Sequence, residues 1–124
     1  MAMSHWNTPE HTAVQPVAPP VGLRVFPARI WPPAKLRWAA GLAMWKKALG
    51  AKLDPVPGEL IELVTTQSGD VLGCVKFQIE VDHSARTEVM LLPLSDLYEP
   101  ATEADRARLL ALLAPYDLGW TSRR

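Results

Sequence analysis

The chain is short of most of the residues from which small reactive sites are built. It has one cysteine, Cys74, so an internal disulfide and a multi-cysteine metal site are both excluded. Its three histidines, His5, His11 and His83, form no HxxxH pair, and neither a CxxC nor an EF-hand spacing occurs. Gly69-Asp70-Val71-Leu72-Gly73 lacks the GxGxxG and Walker patterns of a phosphate loop. No metal and no cofactor is therefore expected. Long apolar runs are missing too. Within the first predicted helix the longest uncharged stretch, Trp38 to Trp45, is far too short to span a bilayer. The first twenty residues lack the basic start and apolar run of a signal peptide. These absences lead to the expectation of a soluble, cytoplasmic protein.

Acid is also missing over a long stretch. From His11 to Leu53 there are seven basic residues, Arg24, Arg29, Lys35, Arg37, Lys46, Lys47 and Lys52, and no Asp or Glu. Twelve of the thirteen acids follow from Asp54 onward, and the net charge is zero. Such a division has two outcomes: an acidic partner for the basic part, or two halves that fold together so that their fields cancel.

What is present is ordinary for a globular protein: 124 residues, 48% hydrophobic and 21% charged. One domain of this length buries roughly two-thirds of its unfolded surface, enough for a core without disulfides. Residues 1–21 hold Pro9, Pro16, Pro19 and Pro20 but few large aliphatics, and are expected to form a disordered tail. Residues 22–124 are expected to form a single α+β domain.

The most prominent pattern is in 33–49. Trp38, Leu42, Trp45 and Leu49 recur at the period of one helix face, with Pro33 suited to its first turn and Gly50 to its end. Before it, Leu23 to Trp31 is β-favouring but interrupted by Pro27, which predicts a short edge strand. After it, Asp54-Pro55-Val56-Pro57-Gly58 is expected to be a stiff loop. Glu59–Thr66, Val71–Asp82 and Glu88–Leu94 read as strands with connections too short for parallel crossovers, hence an antiparallel meander. Val71, Val75, Phe77, Ile79 and Val81 share one face of the middle strand, and Lys76, Gln78 and Glu80 share the other. Val89 to Leu92 is apolar at every position, a pattern expected to be covered on both sides. A second helix starts at a Thr102 N-cap with Asp105 three residues on, carries Leu109, Leu110, Leu112 and Leu113, and stops at Pro115. The expected fold is a small antiparallel sheet, a three-stranded meander plus an N-terminal edge strand, packed with two helices.

No catalytic constellation emerges. Asp82, His83 and Ser84 are consecutive in a turn, where side chains diverge and cannot relay a proton. Cys74 lies on a strand without a basic sequence neighbour and reads as a buried structural thiol. Glu59 and Glu62 read as a solvated face. Lys35 and Arg37 sit at the helix end where cations oppose the dipole, so another group should hold them there. The favoured expectation is a non-enzymatic interaction module, binding a protein or its own copy through Arg29, Trp31, Lys35, Arg37, Trp45, Lys46 and Lys47. The main alternative is a nucleic-acid-binding accessory protein that uses the basic segment 24–52 on phosphates. Docking on an anionic membrane surface is a third, less favoured reading.

Overall fold

Alternation of side chains builds a sheet. The computed structural model describes residues 13–32 and 49–116. Five antiparallel strands, β1 (Val14–Val25), β2 (Val56–Thr65), β3 (Val71–Val81), β4 (Ser84–Pro93) and β5 (Tyr98–Pro100), lie in the order β4-β3-β2-β1-β5. The sheet curls into a half-barrel. Its inner side collects Val21, Leu23 and Val25 of β1, Leu60 and Leu63 of β2, Val75, Phe77 and Ile79 of β3, Leu92 of β4 and Tyr98 of β5. Leu23, Leu60 and Leu63 are fully buried, each worth about 1.5–3 kcal/mol relative to exposure. Two short helices are complete among the described residues. α1 (Pro27–Ile30) follows β1, and α2 (Glu103–Leu113) runs into a 3-10 turn at Ala114–Tyr116.

The meander is present as β2, β3 and β4, but the expected fold understates the sheet. The described residues are mostly sheet, with five strands rather than three and an edge. The predicted tail accounts for much of the difference. Val14 to Val21 belongs to β1, while residues 1–12 lie outside the described residues. The prolines that suggested disorder are compatible with this strand. Their φ is already close to extended, so ordering them costs less backbone entropy. Between Pro16 and Val21 the register against β2 shifts, and β5 pairs only with Leu23–Val25. Pro19 and Pro20 therefore sit in the irregularity, where a missing N–H breaks no ladder bond. The expected edge strand Leu23–Trp31 is in fact the end of β1, held between β2 and β5, and then α1. Pro27 opens that helix, a position where its missing N–H is tolerated. The expected loop at Asp54–Gly58 is shorter, because β2 already begins at Val56. The predicted helix 33–49 lies outside the described residues apart from Leu49.

Turns follow local chemistry. Between β2 and β3, Gly69 takes φ 92° while the Thr66 hydroxyl accepts from Asp70 N at 3.0 Å. Between β3 and β4, Val81 pairs with Ser84 across a two-residue turn in which Asp82 and His83 have φ of 53° and 63°. Two successive left-handed residues match the right-handed twist of a hairpin. Asp and His are among the non-glycine residues that tolerate this region.

Candidate functional site

The seven residues expected to bind a partner are only partly placed. Lys35, Arg37, Trp45, Lys46 and Lys47 lie outside the described residues. Arg29 and Trp31 are described, and each is engaged within the chain. Arg29 Nη1 donates to the carbonyl of Asp96 at 2.7 Å, and its guanidinium lies 4.1 Å from the Phe26 ring centroid. Trp31 packs against Phe77 with ring centroids 6.1 Å apart and rings tilted by 48°. It lines a trough of about 490 Å³ with Ala51, Leu53, Ile79 and Val81, closed on the β4 side by Arg86 and Glu88.

Two described basic residues of the first half, Arg24 and Lys52, face acids of the second. Arg24 stands opposite Glu99 in the β1–β5 register, 3.9 Å from its carboxylate. Lys52 Nζ lies 2.9 Å from Glu80 Oε2, and the same residues join through Lys52 N and Glu80 O. That hydrogen bond, reinforced by the opposite charge, raises the Lys52 ammonium above its ordinary range and lowers the Glu80 carboxyl. Two of the three described basic residues of 24–52 are thus paired with acids within the fold.

The sheet has two margins, and the one formed by β1 and β5 is covered along β1 from Pro20 to Phe26. Phe26 N donates to Leu97 O, and Ala101 N to Gly22 O. Where β5 stops, α2 takes over: Gly22 N donates to Asp105 Oδ1 at 3.0 Å, and Arg108 Nη1 donates to Pro20 O at 3.0 Å. Asp105 also caps its own helix. Its N–H donates to the Thr102 hydroxyl, which in turn donates to Asp105 Oδ2 at 2.8 Å. The hydrogen bond from Thr102, then that from Gly22, holds the Asp105 carboxyl below its ordinary value.

The other margin is β4, and it is open among the described residues. Ten residues pair with β3 without a register shift. Because Val81 and Ser84 flank a two-residue turn, they form the pair that exchanges hydrogen bonds. Even-numbered residues of β4 then turn their backbone to β3. Ala85, Thr87, Val89 and Leu91 present N–H and C=O groups at the free edge. The side chains of Val89 and Leu91 point to the outer face and are 54% and 49% exposed, whereas Leu92 is buried on the inner face. The expectation that this strand is covered on both sides is therefore corrected: it is covered on one. Arg86, Glu88 and Pro93 are the residues of β4 that offer the charge or proline that usually protects an edge.

Groups capable of chemistry are few and scattered. Cys74 is buried, and desolvation followed by the nearby Glu62 charge pushes its thiol up, away from reactive thiolate. Asp82 and His83 form the hairpin turn and Ser84 begins β4, as three diverging side chains. A cleft of about 290 Å³ between β5 and α2 is lined mainly by Leu94, Pro100, Leu109, Leu110 and Leu113. Tyr98 borders it, but its buried hydroxyl has no hydrogen-bond partner and lies against Gly73 of β3. Among the described residues no group of three or more His, Cys, Asp or Glu is placed to hold a metal ion. No described helix is long and apolar enough to cross a membrane.

No protein-family model, curated protein or solved structure matches the chain.

Proposed function

We propose that this chain is a non-enzymatic protein-interaction module and that strand β4 carries the interaction. The observation behind this reading is the contrast between a ten-residue edge with exposed Val89 and Leu91 and the covered margin at β1. An open edge recruits an extended segment by main-chain hydrogen bonds, and flanking apolar side chains add burial. The expected contribution of Lys35, Arg37, Trp45, Lys46 and Lys47 remains part of the proposal as a second contact. The nucleic-acid alternative has less support, since Arg24, Arg29 and Lys52 already have partners within the chain.

The test uses a labelled peptide of residues 84–93 as a strand probe, read by fluorescence anisotropy. The full chain should bind it. Val89→Pro should weaken binding by about tenfold, because it removes an edge N–H, yet leave the β3 ladder and the melting transition in place. Equal binding by both chains would overturn the role of β4. A duplex oligonucleotide that binds instead, with affinity falling steeply with salt, would move the interaction to the basic segment.

A further inference from the structure

We propose that the occupant of the β4 edge is a second copy of this chain, paired strand to strand and antiparallel about a two-fold axis at Thr87. This rests on the reading of β4 as the interaction edge and adds the partner and the register. A two-fold axis through an antiparallel pair places residues equally spaced on either side of the axis opposite one another. Four centres, Thr87, Glu88, Val89 and Met90, keep seven or more residues of the strand paired. An axis at Met90 sets Glu88 against Leu92 and Thr87 against Pro93, which has no N–H to give.

An axis at Glu88 sets two carboxylates face to face, and like charges directly opposite are destabilising. An axis at Val89 sets Arg86 against Leu92 and Ala85 against Pro93, which has no N–H to give. An axis at Thr87 sets Arg86 against Glu88 of the partner subunit, and Glu88 against the partner's Arg86. Both contacts fall at positions where the two strands exchange no hydrogen bond, and there opposed side chains lie closest. Ala85 then meets the partner's Val89 on the outer face and reduces its exposure. Within one copy Arg86 and Glu88 are only 3.7 Å apart at their nearest atoms, and the Arg86 side chain is 69% exposed. They follow one another on the same side of the strand; Glu88, at 28% exposed, is the more enclosed of the two, and Arg86 has the freedom to reach across the seam. The self-complementary order Arg86-Thr87-Glu88 is what selects a second copy over an unrelated strand.

Sedimentation velocity over a concentration series reads the association, and cysteine cross-linking reads the register. In a Cys74→Ala background, Thr87→Cys should form an intermolecular disulfide under mild oxidation, while Val89→Cys alone should not, its two copies being several residues apart. Arg86→Glu should weaken the dimer by about tenfold through two opposed pairs of like charge, and Arg86→Glu combined with Glu88→Arg should restore it. A chain that stays monomeric while still binding the strand peptide would overturn the second copy and leave the edge reading intact. A peptide that does not bind would remove both. Cross-linking at Val89 in place of Thr87, or a dimer indifferent to Arg86→Glu, would overturn the register.

Discussion

The two margins of the sheet satisfy the same backbone chemistry in different ways. Along β1 the outward groups at Phe26, Gly22 and Pro20 each have a partner, and the partners change from backbone to side chain as β5 runs out. Asp105 and Arg108 of α2 continue a ladder that three residues of β5 begin. Along β4 no described residue does this, although the strand is ten residues long and carries Val89 and Leu91 on its outer face. A short strand and one helix thus protect one margin from Pro20 to Phe26, while β4 has no such cover among the described residues. Regularity favours pairing on both sides of a strand, so the best-formed part of the sheet is also the part most open to association.

The closed margin is most easily broken at its anchor. Tyr98 of β5 reaches across to Gly73 of β3, where an added Cβ would lie 2.6 Å from the tyrosine hydroxyl and 2.8 Å from Leu60 Cδ1. Gly73→Ala is expected to cost about 1–3 kcal/mol in denaturant melts, as overpacking of a formed core. Tyr98→Phe should cost little or be favourable, because the buried hydroxyl has no partner to lose. In combination it should recover part of the Gly73→Ala loss.

A smaller effect is expected at the helix that completes this margin. Thr102→Ala should destabilise by about 1 kcal/mol through loss of the N-cap. It also removes the main group holding the Asp105 carboxyl down. A carboxyl depressed in the folded state contributes stability that is fully present above its unfolded value, 3.8 here, and is lost as pH falls through the folded one. Melts of the parent chain should therefore weaken below about pH 4, and Thr102→Ala should show a shallower loss over that window. Equal slopes would mean that another carboxylate governs the acid limb.

The smallest change is expected at the hairpin feeding the open margin. Replacing Asp82-His83 with Asn-Gly supplies the residues most suited to two left-handed positions, and should raise stability by up to about 1 kcal/mol. Association through β4 should stay the same. A gain in association as well would show that the turn limits how regularly β4 is presented.

How much of this was legible in the sequence varies by element. The inner face of β3 was readable because Val71, Val75, Phe77 and Ile79 alternate with Lys76 and Gln78, and that period survives any choice of partner strand. The Thr102 cap was readable because it depends on residues three apart. What Asp105 does beyond the cap was not, since Gly22 lies 83 positions away. Strand β5 left no signal, as three residues cannot show a period. Val89 and Leu91 were read as covered because apolar residues on both faces usually are. Only the order of strands shows that β4 ends the sheet among the described residues.

Local periodicity and short-range hydrogen bonding were enough to specify the β2–β3–β4 meander, its first turn and the start of α2, because those features are set by neighbours within a few residues. The second turn, expected at His83–Arg86 before a strand from Glu88, lies at Asp82-His83, and β4 begins at Ser84. The tertiary structure alone decided that the proline-rich stretch joins the sheet as β1 and that Arg24 and Lys52 face Glu99 and Glu80. It also decided that β1 is covered from Pro20 to Phe26 while β4 stays open among the described residues. Each of those outcomes depends on which distant segment arrives to satisfy an exposed N–H, carbonyl or charge, and composition and spacing along the chain do not encode that arrival.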